Sequence, residues 1–261
     1  MGILAVTQLV TNEPTQLHQE GEPIAHPRWV SLESMPQKGC RVSPQRHETP
    51  PVQQAYAQAL ALGFDQLLAR PPDAAKCAAL GAVTESGTIR LPVLNQRMLL
   101  DLRRREALVA ESGPARSVWA VLAIHYLCAV DVTPDDRAVS FSYFRDCHTY
   151  LSVFGKRIVG RFLATSGRTA EQFAQRSEQL GGTRLAGSGV RYRFHVLPRV
   201  PIAIARYDGD EEVGPGASVV YQADAERLLP AEDRVVAAEL LLDALSNRPM
   251  TENGGLHEER T

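Results

Sequence analysis

The chain has 261 residues, of which 44% are hydrophobic and 22% charged, an ordinary composition for a globular protein. This length suits one large domain, or one domain with an additional arm, with enough apolar residues for a core that needs neither disulfides nor metals. Acidic and basic residues nearly balance, giving a formal net charge of -2. We therefore expect no nucleic-acid partner, since binding driven by counterion release needs a basic excess.

The cysteines give no sign of a metal cluster. They are Cys40, Cys77, Cys128 and Cys147, with no C-x-x-C pair among them. Iron–sulfur clusters and structural zinc sites usually draw on closely spaced ligands. The first ten residues lack a basic segment and a cleavage site, and no apolar run approaches the roughly 18 residues of a membrane span. We expect a cytoplasmic protein with reduced thiols and no membrane partner.

Proline recurs through the N-terminal part of the chain. Residues 11–51 are rich in proline and polar residues and poor in large apolar ones. Because proline interrupts helices, we interpret residues 1–50 as a Pro-rich, loosely ordered arm. A single domain is predicted for residues 51–248 and a flexible tail for residues 249–261.

The first half of the predicted domain combines helices with a hairpin. Val52–Ala69 has the apolar spacing of a helix. Two short apolar runs, Thr88–Val93 and residues 98–102, flank a polar turn and predict a β-hairpin. Residues 115–129 are apolar on nearly every face, which indicates a fully buried helix at the centre of the core.

Two further helices are predicted in the middle of the domain. A long helix from about residue 147 to residue 165 carries an apolar stripe whose members lie four residues apart. Thr169 and Gln172 form a capping-box pattern for the next helix, which Gly181-Gly182 ends through a left-handed cap.

Strands return near the C terminus. Residues 192–196 alternate in polarity, Ile202 and Ile204 alternate with alanines, and residues 218–221 form another short apolar run. Pro230 suits the first position of a last helix. Because the strands cluster instead of alternating strictly with helices, we predict an α+β fold, with a mainly antiparallel sheet packed with the buried central helix and several amphipathic helices.

Four carboxylates follow the strand around Ile204 within five residues: Asp208, Asp210, Glu211 and Glu212. We call this segment the acidic turn. Carboxylates on one loop can hold Mg²⁺ or Ca²⁺, or supply an acid and a base. Asp-Gly is also a strong turn pair, so a solvated hairpin turn or an acidic patch facing a partner explains the same residues.

A basic group lies on the long middle helix. Lys156, Arg157 and Arg161 are candidates for binding a phosphate or carboxylate, because guanidinium groups bind such anions through two parallel hydrogen bonds. The alternative is the solvated face of an amphipathic helix, paired with the acidic turn.

Histidine and cysteine recur near the buried helix. His125 and Cys128 lie three residues apart, and Cys147-His148 follows. Two histidines and two cysteines suffice for tetrahedral zinc, but neighbouring residues rarely reach the same ion. We therefore predict no metal site, with His125, Cys128 and His148 as the candidates if one exists. Core packing explains these residues as well.

Several chemical motifs are missing from the sequence. It has no phosphate-binding G-x-x-x-x-G-K-[ST] loop, no strand-linked G-x-G-x-x-G and no H-E-x-x-H. No serine stands in a nucleophile-elbow pattern. The cofactor, if there is one, cannot be named from these residues.

The order of the apolar segments resembles a known family. Its landmarks are residues 122–127, 139–141, 150–157, 179–182 and 197–212, followed by Val220-Tyr221. Over about residues 51–245 the chain resembles domain-of-unknown-function family 3786. The resemblance implies a prokaryotic domain of unknown activity, loosely associated with anaerobic corrinoid and iron–sulfur metabolism, and supplies no catalytic residue.

Two functions remain open at this point. The first is a non-enzymatic accessory or binding module that recognises a small anionic ligand, a cofactor or a protein partner. The second is an enzyme that uses the acidic turn with a metal ion or as an acid–base pair. The lack of catalytic motifs favours the first.

Overall fold

The computed structural model describes residues 52–210 and 212–252. The predicted N-terminal arm and most of the predicted tail lie outside these residues. Two five-stranded antiparallel sheets and a set of helices make up the described part, which confirms the predicted α+β class. No helix within it is long and apolar enough to cross a membrane.

The first sheet is a meander in which each strand pairs with the next along the chain. Its strands are β1 Val83–Glu85, β2 Thr88–Val93, β3 Gln96–Asp101, β4 Glu106–Val109 and β5 Gly113–Pro114. The predicted hairpin is confirmed as β2 and β3, with Val93 paired to Gln96 across the turn. In β2 alternate residues are buried, so one face of this sheet covers the core.

The second sheet has the strand order β6-β10-β9-β8-β7. Its strands are β6 Ala138–Ser140, β7 Thr183–Arg184, β8 Val190–Leu197, β9 Val200–Tyr207 and β10 Gly216–Gln222. The three predicted C-terminal strands are confirmed as β8, β9 and β10. The pairing of β6 with β10 brings a strand from the middle of the chain to the edge of this sheet.

Helix α3, Ser117–Leu127, confirms the predicted central helix. All its residues from Trp119 onward are buried except His125. Helix α1, Val52–Ala69, packs on α3, and α2, Ala74–Ala79, leads into the first sheet. Burial of α3 on all sides explains why its sequence shows no polar face.

The predicted long middle helix is not one α-helix. A 3₁₀ turn, His148–Tyr150, is followed by α4 Leu151–Phe154, a π-helical segment Gly155–Gly160 and α5 Arg161–Ala164. Glycines stand at both ends of the π segment, where the absence of a side chain eases a change of hydrogen-bond pattern. The predicted apolar stripe keeps its place, with Phe154, Ile158 and Phe162 all buried.

The last helices are α6 Ala170–Gln179, α7 Ala225–Leu228 and α8 Ala231–Leu245. The Thr169 side chain accepts a hydrogen bond from the Gln172 amide at 3.1 Å, which confirms the predicted cap of α6. Pro230 is the N-cap of α8, so the helix begins at Ala231, one residue after the predicted first helical position.

The beginning of the predicted tail contacts the domain. Met250 is buried, its carbonyl accepts a hydrogen bond from the Arg116 amide at 2.7 Å, and Thr251 pairs with Ala115. Residues 249–252 therefore add to the cover of α3, because these backbone contacts fix them at its N-terminal end.

The burial of α3 makes its interior residues intolerant of charge. Leu122→Asp is expected to unfold the protein, because an unpaired carboxylate in the core costs an appreciable part of a typical stability of about 5–15 kcal/mol. Thermal unfolding followed by circular dichroism measures this. Val130→Asp is the control, since Val130 is 95% exposed. A folded Leu122→Asp protein with the parent melting temperature would contradict the placement of α3.

Candidate functional site

One buried carboxylate of α8 accepts hydrogen bonds from three arginines. The Asp243 side chain is 9% exposed and accepts hydrogen bonds from Arg116 and Arg248, each at 3.4 Å, and from Arg161. These arginines come from the N-cap of α3, from α5 and from the segment after α8. Three cations thus share one anion, and the surroundings of Asp243 carry a surplus of positive charge.

The basic residues selected from the sequence face α8, not the acidic turn. Arg157 binds Glu239 through two hydrogen bonds of 2.6 and 2.7 Å, and Arg161 binds Asp243. Glu239 and Asp243 lie one helical turn apart, as do their arginine partners, so two matched pairs join the segments. Lys156 is exposed. The anions that Arg157 and Arg161 bind in the structure are therefore carboxylates of the protein itself.

A cleft of about 290 Å³ opens beside the Asp243 cluster. We call it the helix-end cleft, because the C-terminal ends of α6 and α8 and the β2–β3 turn enclose it. The lining residues are Leu94, Asn95, Gln96, Arg176, Gln179, Leu180, Ala244, Asn247, Arg248, Pro249 and Met250.

Both helices end at this cleft through the same capping geometry. In α6, Gly182 N–H bonds the Ser177 carbonyl at 2.8 Å and Gly181 has a φ of 78°. In α8, Arg248 N–H bonds the Asp243 carbonyl at 2.9 Å while Asn247 has a φ of 58°. Glycine and asparagine are the residues that tolerate this left-handed position. The caps turn the chain sharply and leave the cleft between the two helix ends.

The lining of the helix-end cleft is polar and positively charged. Arg176 and Arg248 supply two guanidinium groups, and four amide side chains stand beside them: Asn95, Gln96, Gln179 and Asn247. No carboxylate lines the cleft, while Leu94, Leu180 and Met250 supply apolar surface. Arg248 lies between the cleft and Asp243, so it connects the two clusters.

Sequence reasoning did not find this cleft. It identified the Gly181-Gly182 cap, but it assigned residues from 249 onward to a tail and missed the second cap at Asn247. The signal that could have revealed it is the sequence Ser-Asn-Arg-Pro at residues 246–249, since Asn followed closely by Pro is typical of a helix end. Nothing local, however, places Arg176 near Arg248.

Asp208 and Asp210 of the acidic turn each bond to neighbouring groups of the chain. Asp208 pairs with the buried Arg206, whose Nε also donates to the Gly167 carbonyl at 2.9 Å. Asp210 accepts hydrogen bonds from the Val213 and Glu212 amides at 2.8 and 3.0 Å, which hold its pKa below the ordinary value. The Glu212 side chain is exposed, and Glu211 lies outside the described residues. Asp210 therefore closes the turn between β9 and β10.

The histidine and cysteine candidates are dispersed. His125 contacts Asp233 of α8, with 2.7 Å between Nδ1 and Oδ2, and this carboxylate raises the pKa of His125. Burial raises the pKa of the half-buried Cys128 thiol, and His148 is exposed. Within residues 52–210 and 212–252, no three His, Cys, Asp or Glu side chains gather closely enough to hold a metal ion.

These features define a two-sheet α+β domain with a positively charged cleft between helix ends. The chain belongs to a family of domains of unknown function, DUF3786, whose model matches residues 72–244. The family expected from the sequence is thus confirmed, with a match that begins at residue 72 instead of near residue 51. No curated protein and no solved structure gives a significant match.

Removal of the shared carboxylate tests the Asp243 cluster. Asp243→Asn is expected to cost about 3 kcal/mol of unfolding free energy, the lower part of the range for a buried ion pair that loses one partner, because the arginines are partly exposed. Glu239→Gln should cost at most about 1 kcal/mol, since Arg157 is mostly exposed. Urea unfolding of both variants gives the comparison. Equal losses would show that the three-arginine arrangement adds nothing.

The His125–Asp233 pair predicts a pH-dependent stability. Because the carboxylate raises the histidine pKa above 6.5, the contribution of the pair is fully present below pH 6.5. It is lost as the pH rises through the raised pKa of the folded state. Urea unfolding between about pH 5 and 9 should therefore show this loss in the parent and not in His125→Gln. The matched control is His148→Gln, on an exposed histidine, which should keep the parent profile.

Proposed function

We propose that this protein is a binding module that recognises a small organic anion in the helix-end cleft. The observation that carries the proposal is the charge of the lining: two guanidinium groups and four amides without a carboxylate. A phosphate or carboxylate ligand would neutralise this surplus.

The charge surplus has a structural origin. Arg248 has a partner in Asp243, but it shares that carboxylate with Arg116 and Arg161. One negative charge cannot compensate three guanidinium groups, and the Arg248 side chain remains 64% exposed. Its remaining N–H donors are thus available to an anion entering the cleft, and Arg176 offers a second set.

The lining also restricts the class of ligand. Arginine presents a planar fork of donors that matches carboxylate and phosphate oxygens. Amides donate and accept, so they suit hydroxyl, amine or amide groups on the same molecule. The volume of about 290 Å³ is close to the lower bound of typical ligand pockets, about 300 Å³. These features favour a small carboxylic acid or phosphate ester with polar substituents.

Recognition is favoured over catalysis by the side chains present. The lining contains no His, Cys, Ser, Tyr, Lys, Asp or Glu, the groups that usually act as nucleophiles or transfer protons. The alternative, an enzyme built on the acidic turn, gains no support from Asp208 or Asp210, because one pairs with Arg206 and the other caps its own loop.

Calorimetric titration with inorganic phosphate, glutarate, citrate and adenosine monophosphate tests the proposal. At least one of these anions is expected to bind and to raise the melting temperature. Arg176→Ala/Arg248→Ala should weaken that binding about tenfold to a hundredfold, since a hydrogen bond to a charged group contributes about 1.5–3 kcal/mol.

The matched control is Arg103→Ala/Arg104→Ala, which removes two exposed arginines from the turn between β3 and β4. This variant should bind the anion as the parent does. Equal weakening in both double variants would attribute binding to net charge, and the absence of binding by all four anions would overturn the proposal.

A further inference from the structure

A second concave surface lies on the outer face of the second sheet, and it shares no lining residue with the helix-end cleft. Side chains alternate between the faces of a strand. In β8 Tyr192 and Phe194 point into the core, so Arg191, Arg193 and His195 stand on the opposite face. This row of basic residues belongs to the outer surface of the domain.

The neighbouring strand leaves room beside this row. Ala203 and Ala205 of β9 are paired with Arg193 and Arg191, and Pro201 is paired with His195. Pro201 and Ala203 form the floor of a trough of about 140 Å³, and Leu185 and Val220 contribute to its walls. We call it the outer-face trough. Because Pro201 and Ala203 are small, an extended backbone with small side chains can lie over this floor.

The orientation of Arg191 is fixed by the loop before β8. Arg191 Nη1 donates to the Ala186 carbonyl at 3.3 Å. Gly187 permits this contact, because a Cβ at position 187 would lie 2.2 Å from Arg191 Nη1. Arg193 is exposed. One guanidinium is therefore held beside the trough and the other is free to meet a ligand.

The spacing of these cations matches an extended peptide. Residues two apart on a strand are separated by roughly 6.5–7 Å, and a bound extended peptide has the same repeat. Acidic residues at alternate positions of such a peptide would meet Arg191 and Arg193 in turn. Asp136 lies on the far wall of the trough, so the acidic edge of the peptide must face β8.

We propose that the outer-face trough is a docking site for an extended acidic segment of a partner protein. The segment lies along β8, with alternate carboxylates on Arg191 and Arg193 and small side chains over Ala203. This inference goes beyond the proposed function, because it concerns another surface and a macromolecular ligand.

Fluorescence anisotropy with two labelled peptides of about twelve residues tests this inference. One peptide alternates Glu with Thr, whose β-branched side chain favours extended structure. The other has the same composition in a Glu-Glu-Thr-Thr repeat, in which no two Glu residues lie two positions apart. The alternating peptide is expected to bind at least about tenfold more tightly, because only its carboxylates have the two-residue repeat.

Variants then locate the binding surface. Arg191→Ala/Arg193→Ala should weaken binding of the alternating peptide about tenfold or more, while the control Arg103→Ala/Arg104→Ala should not. Should the double variant fail to fold, Arg193→Ala alone decides, since that side chain is exposed.

Three results would overturn the inference. Equal binding of the two peptides would show that net charge, and not the spacing of the carboxylates, determines binding. If neither peptide binds, the trough is not a docking site for acidic peptides. A dimer of the parent that dissociates in Arg191→Ala/Arg193→Ala, measured by light scattering, would assign the face to a second copy of this chain.

Discussion

The carboxylate of Asp243 determines how the ends of several helices are positioned relative to one another. A buried carboxylate is costly unless cations and donors surround it, and Arg116, Arg161 and Arg248 supply them from three separate segments. Because all three must reach the same two oxygen atoms, the N terminus of α3, helix α5 and the end of α8 have little freedom to move relative to one another. The helix-end cleft lies beside this junction, so its shape follows from the same requirement.

Apart from the exposed Glu232 in its first turn, the charged side chains of helix α8 each meet a partner. Asp233 meets His125, Glu239 meets Arg157, and the guanidinium of Arg234 lies 4.2 Å from the centre of the Phe144 ring. Between these positions the helix is apolar and packs into the core. An axial slip of α8 by one turn would separate Asp233 and Glu239 from their partners, and a charge buried without a partner is costly. The ion pairs therefore specify the register of α8, and burial of its apolar residues supplies the stability.

The features that were predicted correctly depend on interactions between residues close together in the sequence, and those that were missed depend on the tertiary structure. The buried helix, the β2–β3 hairpin and the Thr169 cap depend on neighbouring residues, and all were predicted correctly. The π segment was missed, because the pattern Phe154, Ile158, Phe162 is the same whether the backbone bonds are α-helical or π-helical. Arg157 was recognised as a possible anion ligand, but choosing Glu239 among many acidic residues needs the tertiary structure. The cleft was out of reach for the same reason.

The two arginine pairs present different geometries to a ligand. Arg176 and Arg248 lie at helix ends among amides, an arrangement that surrounds one small anion from several sides. Arg191 and Arg193 lie along a strand, an arrangement that favours a ligand whose successive charges have the same spacing. The two surfaces nevertheless meet in β8, since Leu94 at the cleft donates its N–H to the carbonyls of His195 and Val196 at 3.1 and 3.2 Å. The position of β8 therefore fixes both the wall of the cleft and the row of cations on the outer face, so neither surface can be displaced without disturbing the hydrogen bonds that locate the other.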